Sequence, residues 1–226
     1  MTNNKLKVGI VGYGVVGQRR RLFIDMNSNL QTVAVCDVRF KKDGSMIDGA
    51  KLNYTYDLLE NQSHKEPLRG KTNNEVHFFN NFNDLLSNIT LDILFVSVPN
   101  YFAPEVTIAG LKKGLHVFCE KPPGRTVEDI KKVIEIEKRN PHLKLKYGFN
   151  HRYHGSIKKT KRIIDSNELG NIINFRGVYG KSSIVQFQKG QWRSIEKYSG
   201  GGILLDQGIH MLDLFNYFLG GFTSVK

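Results

Sequence analysis

Three glycines near the start of the chain have the spacing of a phosphate-binding turn. They follow the apolar run at residues 6–11 and open a helix-like segment, in the stretch Gly12-Tyr13-Gly14-Val15-Val16-Gly17. The first glycine permits a tight turn, the second lets a diphosphate approach the backbone, and the third lets helix and strand pack closely. The N–H groups at the helix start carry partial positive charge toward the phosphates. The stretch predicts a dinucleotide site; a glycine turn that serves packing alone is the alternative.

An acidic residue at the end of the next strand-like run strengthens this prediction. Asp37 lies twenty residues beyond Gly17, after the run TVAVC, where a carboxylate accepts hydrogen bonds from the adenosine ribose. A carboxylate there repels a 2′-phosphate, so the sequence favours NAD over NADP. Arg39, with Lys41 and Lys42, can offset that repulsion and keeps NADP open as the alternative.

A second candidate centre is carried by the apolar helix predicted over residues 203–219. Asp206 and His210 are four residues apart, so on an α-helix they project from one face, and Asp213 continues that face. Polar groups on so apolar a helix are costly unless they are paired or functional. An imidazole beside a carboxylate can take up or release a proton near neutral pH, so the pair is a candidate acid–base centre. The alternative is a structural Asp–His hydrogen bond, and Asp213 is interpreted as structural.

These residues need a scaffold, and the first two-thirds of the chain alternates between strand and helix patterns. Such alternation is typical of a doubly wound α/β fold with a parallel sheet covered on both faces. The predicted strands are residues 6–11, 32–36, 76–79, 92–98, 115–119 and 144–149, and the predicted helices are 14–26, 82–88, 104–113 and 126–139. Residues 41–75 form a long polar insertion whose order the sequence does not decide.

The pattern changes after Asn150. We predict an amphipathic helix over 156–170, a half-exposed strand over 171–180, a polar stretch over 181–200, and the apolar helix over 203–219. The final residues 222–226 resemble the start of another strand. We therefore expect a Rossmann-type domain over 1–122, to which the strand at 144–149 returns, and a partial α+β domain with an open sheet over 123–226.

Composition excludes several classes of protein. The chain has 226 residues, of which 40% are hydrophobic, with 33 Lys+Arg against 21 Asp+Glu. These values are typical of a globular protein, and no stretch approaches the roughly 18 apolar residues of a transmembrane helix. The net charge of +12 is compatible with nucleic-acid binding, but the basic residues are scattered and no nucleic-acid motif surrounds them. Cys36 and Cys119 follow apolar runs and are expected to be buried thiols, which predicts a reducing, cytoplasmic location and no metal site.

Three further motifs complete a recognisable set. They are Glu120-Lys121-Pro122, the stretch from Gly148 to Tyr153 (GFNHRY), and the stretch from Gly200 to His210 (GGGILLDQGIH). Together with the glycine turn, in this order and spacing, they resemble the glucose–fructose oxidoreductase / inositol dehydrogenase / MocA family. The resemblance runs from about Val8 to Leu219.

The resemblance implies an NAD(P)-binding Rossmann domain followed by an α+β domain whose open sheet forms a homo-oligomer interface. It also implies oxidation or reduction at a carbon of a sugar, cyclitol or nucleotide sugar. By motif match, Lys121 lies beside substrate and nicotinamide and precedes a cis proline, and Asp206 and His210 are the catalytic pair. Pro99, Asn100 and Glu120 are assigned to the cofactor site. In this scheme we expect His210 to take the proton of the substrate hydroxyl, while Asp206 holds the imidazole and favours its charged form. Lys121 polarises the reacting oxygen.

Other residues are assigned to the substrate side. Asn150, Arg152 and Tyr153 follow the sixth strand, at the sheet edge where α/β ligand sites occur. Arg152 could bind an anionic group, although a surface arginine beside a packed tyrosine is an equal alternative. Trp192 and Arg193 precede the catalytic helix, and core packing is the simpler interpretation of the tryptophan.

Two departures from the family pattern bear on function. Ala103 stands where family members often carry histidine, which puts one contact in doubt. The second domain is also expected to be cut short, because the chain ends where a further strand begins. A protein that binds NAD without catalysis, as a sensor or a remnant subunit, is therefore the main alternative to a dehydrogenase; a nucleic-acid-binding protein is the third.

Overall fold

The computed structural model describes residues 5–41, 43, 45, 47, 76–180 and 192–225. Most of the polar insertion predicted over 41–75 lies outside this range. Among the described residues, none of the helices combines the length and the apolar character needed to cross a membrane.

Six parallel strands form the core of the fold. Their order in the sheet is β3-β2-β1-β4-β5-β6, which is the arrangement of a dinucleotide-binding fold. The doubly wound class predicted from the strand–helix alternation is therefore confirmed. The strands are β1 (Leu6–Val11), β2 (Leu30–Cys36), β3 (His77–Phe79), β4 (Ile93–Val96), β5 (His116–Cys119) and β6 (Leu145–Tyr147).

Helices connect the strands and begin and end where the sequence signals predict. Thr126 and Asp129 form a reciprocal capping box at the start of the fourth helix, which satisfies two otherwise free N–H groups. Pro104 lies in the first turn of the third helix, and Gly114, with a φ of 78°, turns the chain after that helix ends. The helices are α1 (Val15–Asp25), α2 (Phe82–Asn88), α3 (Ala103–Lys112) and α4 (Val127–Arg139).

The buried residues of the central strands are almost all apolar, with Thr32 of β2 as an exception, which explains why these strands have no alternation. Val8 and Ile10 of β1 and Leu94 and Val96 of β4 are completely buried. Both predicted thiols, Cys36 and Cys119, are buried and free, as expected. Strands covered on both faces are typical of parallel sheets.

After β6 the regular secondary structure of the described residues is helical. A 3₁₀ turn (Asn150–Tyr153) precedes α5 (Gly155–Asp165), and a second 3₁₀ turn (Trp192–Ser194) precedes α6 (Glu196–Ser199). A π-helical turn (Leu204–Gly208) then leads into α7 (Ile209–Leu219), which ends at Gly220 with a φ of 85°. The apolar helix predicted over 203–219 is thus present, with an irregular first turn.

Two strand predictions in this region are wrong. Residues 171–180 and 222–225 are described and contain no strand, and α5 ends five residues before the predicted Gly170. Alternating hydrophobicity yields a strand only where a neighbouring strand supplies hydrogen bonds. No such neighbour is present among the described residues, so the open sheet predicted for the second domain is not seen there.

Candidate active site

The strand order brings the candidate residues to one edge of the sheet. In a parallel sheet all carboxyl ends lie at the same edge, and ligands bind where the strand order reverses, here between β1 and β4. The glycine turn follows β1, Asp37 follows β2, the Pro99-Asn100 loop follows β4, and Glu120-Lys121 follows β5. Residues that are distant in sequence thus surround one cleft.

The glycine turn has the geometry that a diphosphate site requires. Gly12 has a φ of 89°, and a Cβ there would lie 2.4 Å from the carbonyl oxygen of Ser97. A Cβ on Gly17 would lie 2.0 Å from the carbonyl oxygen of Gly12, so only glycine permits this approach of helix and strand. A Cβ on Gly14 would meet nothing within 4 Å, which leaves open space before the start of α1. These features fit a dinucleotide whose phosphates lie against the backbone from Gly14 to Val16.

Asp37 is tied to the glycine turn and to one arginine. Its carboxylate accepts hydrogen bonds from the Tyr13 N–H at 2.8 Å and from the Arg39 Nε at 2.7 Å. Burial alone would raise the pKa of Asp37, but the hydrogen bonds and charge of Arg39 outweigh it and hold the pKa below its usual value. Arg39 also donates to the Tyr13 carbonyl at 2.8 Å. The offset of negative charge anticipated from the sequence is therefore made by a direct ion pair.

Glu120 and Asn100 are engaged by groups outside the expected cofactor contacts. Glu120 accepts a hydrogen bond from Arg20 of α1 at 2.5 Å, and a Cβ on Gly148 would lie 2.6 Å from its carboxylate. Asn100 is 4% exposed and donates to the Ser199 carbonyl at 2.7 Å, while Pro99 accepts from the N–H of Phe102. Glu120 therefore fixes the loop before Lys121, and Asn100 fixes α6 to the Rossmann sheet edge.

Lys121 connects the sheet edge to the later helices. It precedes a cis proline, as the family resemblance implied, and its Nζ donates to the Asp206 carbonyl at 2.6 Å. The same Nζ lies 3.6 Å from the Asp206 carboxylate, and the Arg193 Nε lies 3.9 Å from that carboxylate. Burial lowers the pKa of Lys121 below its usual value, and the Asp206 carboxylate offsets this only in part. A partly desolvated cation of this kind stabilises negative charge on a nearby oxygen.

The predicted contact between Asp206 and His210 takes a different form. The Asp206 carboxylate accepts from the Gln207 side chain at 2.7 Å, whereas the buried Nδ1 of His210 has no hydrogen-bond partner in the part of the chain that the structure describes. The π-helical turn from Leu204 to Gly208 changes the spacing that places residues four apart on one face. The expectation that Asp206 holds this imidazole nitrogen is therefore wrong.

His210 is buried among aromatic rings and cations. His210 is 5% exposed, and the His151 ring stacks on the His210 ring with a centroid distance of 4.0 Å. Burial, followed by the charges of Lys121 and His151, lowers the pKa of His210 to about 4, against the opposing effect of Asp206. The imidazole is therefore neutral near pH 7 and able to accept a proton. Asp206 favours the charged form of the ring, as expected, but burial and the neighbouring cations outweigh its effect.

The remaining predicted substrate residues divide into two groups. Arg152 is engaged in two hydrogen bonds to Asp213 of α7, at 2.8 and 2.5 Å, and lies over the Tyr217 ring. Asn150 and Tyr153 are exposed. Trp192 is half-buried and carries the Arg193 guanidinium 4.4 Å from its ring centroid, which directs Arg193 toward Asp206.

Sequence reasoning missed Arg20 and His151. Arg20 lies within a run of three arginines, and only its contact with Glu120 distinguishes it from its neighbours. His151 lies within the GFNHRY motif, where its residue type and position alone indicate no particular role. A search for metal ligands among the described residues finds no group of three or more histidine, cysteine, aspartate or glutamate side chains placed to hold an ion.

Comparison with characterised proteins gives consistent relatives. The chain is 26% identical over 215 residues to an inositol 2-dehydrogenase of Salmonella typhimurium, covering 95% of this chain and 54% of that enzyme. It is 28% identical to a D-glucoside 3-dehydrogenase of Escherichia coli, covering 100% of this chain and 57% of the relative. The chain thus spans about half the length of these relatives.

Solved structures agree with this result. Myo-inositol 2-dehydrogenase from Lactobacillus plantarum superposes with a TM-score of 0.69 at 26% identity, covering 96% of this chain and 57% of that one. Scyllo-inositol dehydrogenase from Lactobacillus casei, with bound NAD(H) and scyllo-inositol, gives a TM-score of 0.70 at 25% identity, with the same coverage.

The family models account for both parts of the chain. Residues 6–149 match the model described as an oxidoreductase family with an NAD-binding Rossmann fold. Residues 157–226 match the model of the C-terminal domain of the same proteins. The chain therefore belongs to the glucose–fructose oxidoreductase / inositol dehydrogenase / MocA family.

Proposed function

We propose that this protein is an NAD-dependent dehydrogenase that acts on a hydroxyl-bearing carbon of a sugar, cyclitol or nucleotide sugar. The observation that carries the proposal is the hydrogen bond from Lys121 to the Asp206 carbonyl. It joins the sheet edge that fits a dinucleotide to the helix that bears a neutral, buried imidazole. The curated relatives, which are inositol and glucoside dehydrogenases, support the class of substrate.

The cofactor would be held by the glycine turn and the Asp37–Arg39 pair. The backbone from Gly14 to Val16 faces the phosphates, and the Asp37 carboxylate accepts from ribose hydroxyls. When bound, NAD accepts a hydride at its nicotinamide ring. The Asp37 carboxylate repels a 2′-phosphate, so we expect NAD to be preferred. Because Arg39 neutralises part of the Asp37 charge, we expect NADP to bind more weakly rather than be excluded.

The residues of the chain supply the acid–base part of the reaction. The substrate hydroxyl gives its proton to the neutral His210 imidazole as the hydride leaves the same carbon, so that a carbonyl forms. The Lys121 ammonium stabilises the negative charge that develops on that oxygen. Asp206 lies 3.6 Å from Lys121 and serves to orient the ammonium rather than the imidazole.

The test is NADH formation by the full chain with NAD and a panel of myo-inositol, scyllo-inositol, glucosides and glucose 6-phosphate. We expect turnover with at least one of them, and His210→Gln and Lys121→Met to lower it about 10²–10⁴-fold. His142→Gln, which changes an exposed histidine just after the end of α4, is the matched control. Unchanged turnover in both site variants contradicts the catalytic assignment.

Cofactor binding is measured separately by calorimetry, since a protein that binds NAD without turnover is the alternative function. Gly14→Ala places a methyl group in the open space before α1 without a clash in the fold. We expect this variant to fold normally and to bind NAD more weakly. Equal affinity in wild type and variant contradicts the proposed cradle, and NAD binding with no turnover on any substrate favours the sensor.

We also propose that the protein assembles as a homo-oligomer through its second domain. Two apolar side chains there, Ile173 and Val178, are 98% and 82% exposed. Light scattering after gel filtration tests this proposal, and a monomer at all concentrations contradicts it.

A cytoplasmic location is proposed on the state of the thiols. Cys36 and Cys119 are buried and unpaired, and burial raises the pKa of each to about 12. Free thiols are typical of reducing compartments. Fractionation of the cells that produce the protein tests this location.

A further inference from the structure

Within the described part of the chain, the buried Nδ1 of His210 lacks the contact that normally orients a catalytic imidazole. In catalytic triads one ring nitrogen donates to a carboxylate, which fixes the tautomer and the plane of the ring. Here the Nδ1 of His210 is buried and has no hydrogen-bond partner within the described residues. The nearby Asp206 carboxylate accepts instead from Gln207. The orientation of His210 must therefore come from contacts of another kind.

Ring packing provides those contacts. The His151 imidazole lies face to face with that of His210, with centroids 4.0 Å apart and planes 15° apart. Phe149 presents its edge at 6.3 Å and 90°, and Tyr179 lies at 6.0 Å. Of these neighbours, His151 makes the closest contact and is parallel to the ring, so it constrains both the position and the tilt of His210.

The support of His151 is itself fixed to the same helix. His151 lies in the 3₁₀ turn after β6, and the next residue, Arg152, forms the bidentate pair with Asp213. Asp213 lies three residues after His210 on α7. The turn and the helix are therefore held at a fixed separation beside the stacked rings, and His151 cannot move away without breaking this pair.

We propose that His151 is a positioning residue for His210, whose stacked ring takes the place of the absent hydrogen bond in fixing the catalytic imidazole. The inference rests on the proposed function of His210 as the base. In this role His151 holds the His210 ring in place and does not itself accept the proton of the substrate.

Electrostatics is consistent with this arrangement. The groups that face His210 are Lys121 after β5, Asp206 one turn earlier on its own helix, and His151 and His154 from the 3₁₀ turn. His151 is in turn influenced by His154, Lys121 and Asp213, and burial is the largest cause of its lowered pKa. Two stacked imidazolium ions repel each other, so each ring disfavours protonation of the other, and the neutral His210 ring stacks on His151 without that repulsion.

The test compares two substitutions of similar bulk in the full chain. His151→Phe keeps a flat ring but removes the nitrogens and the charge, and His151→Leu removes the flat face. We expect the leucine variant to lose about 10–100-fold in kcat with an unchanged affinity for NAD, as found when supporting contacts of a catalytic group are lost. We expect the phenylalanine variant to stay within about threefold of the wild type. His142→Phe, at an exposed histidine after the end of α4, is the control and should keep its kcat.

The pH dependence of kcat/KM is a second measurement, and it would not change if His151 had only a structural role. Because the charge of His151 lowers the pKa of His210, its removal in His151→Phe should shift the acid limb of kcat/KM to higher pH. Equal loss of kcat in the phenylalanine and leucine variants would show that a His151 nitrogen takes part directly, which overturns the proposal. Full activity in both also overturns it.

A spectroscopic measurement keeps the inference separate from the proposed function. NMR titration of the His210 ring requires no substrate, so it remains informative if no turnover is found. We expect a single sharp ring signal in the wild type and in His151→Phe, and a broadened signal in His151→Leu. An unchanged His210 signal in the leucine variant rejects the positioning role whether or not the protein is a dehydrogenase.

Discussion

At the scale of single residues, the site depends on a histidine kept neutral by its surroundings. His210 is 5% exposed, and both Lys121 and His151 disfavour its protonation. A solvent-exposed histidine, with a pKa of about 6.5, is already mostly neutral at pH 7, and a lower pKa makes the ring a weaker base. Burial therefore keeps His210 unprotonated over a wider range of pH at the expense of its basicity, and the same burial makes folding sensitive to pH.

The first prediction concerns this pH dependence. The folded-state pKa of His210 is about 4, below that of the unfolded chain, so the unfolded state takes up a proton first as the pH falls. The contribution of His210 is thus lost progressively below about pH 6.5, and amounts to about 2 kcal/mol between pH 7 and pH 5. Urea unfolding of the wild type and of His210→Gln at both pH values measures the difference. Parallel losses in the two proteins would contradict the low pKa.

Residue types and spacing predicted the glycine turn, Asp37 and Lys121, because each belongs to a motif with one geometric solution. The partners of these groups were less accessible. Nothing in the spacing of Arg20 and Glu120 connects residues one hundred positions apart, and the fold alone brings them to 2.5 Å. The stack of His151 on His210 is of the same kind, since it joins a turn after β6 to the last helix.

At the scale of elements, α7, which carries the proposed base His210, is held by an ion pair from the Rossmann side. Arg152 follows β6, and its guanidinium contacts Asp213 of α7 through two hydrogen bonds. The Asp213 side chain is 7% exposed, so removal of the arginine leaves a nearly buried carboxylate without compensation. An anion-binding role for Arg152, which the sequence allowed, competes with this contact.

The second prediction follows from this docking contact. Arg152→Met should lower the free energy of unfolding by about 2 kcal/mol, less than the 3–5 kcal/mol of fully buried pairs because the arginine is partly exposed. Arg139→Met, which breaks the exposed pair with Glu135, is the matched control and should cost less than about 1 kcal/mol. If Arg152→Met changes the KM for an anionic substrate and leaves stability intact, Arg152 binds substrate instead.

Element boundaries were predictable wherever local chemistry sets them. The capping box at Thr126 and the glycine after α7 are local signals, and both mark true helix ends. The strand predicted over 171–180 required a partner that local alternation does not reveal. The π-helical turn at Leu204–Gly208 also escaped prediction, because the hydrophobic pattern of the segment is that of a continuous helix.

At the scale of the whole molecule, polar contacts between described residues join the Rossmann sheet edge to the later helices at four places. Each connects a loop or turn near the carboxyl ends of the strands to the segment between Lys197 and Asp213. The contacts are Asn100 to the Ser199 carbonyl, Lys121 to the Asp206 carbonyl, Arg125 to the Lys197 carbonyl, and Arg152 to Asp213. The loops expected to bind the cofactor therefore also position the catalytic helix.

The third prediction is that cofactor binding protects this helix from hydrogen exchange. A ligand that binds only the closed state slows exchange through any opening that destroys its site, by about 100-fold at 100 times Kd. We expect NAD to protect amides of α7 as well as those of α1, while α2, on the far side of β2 and β3, is unaffected. Arg125→Met keeps its packing against Gly200 but loses the donor to Lys197, and should reduce the protection of α6 and α7. Protection confined to α1 would show that the two parts open independently, so that the sheet edge and the His210 helix do not form one site.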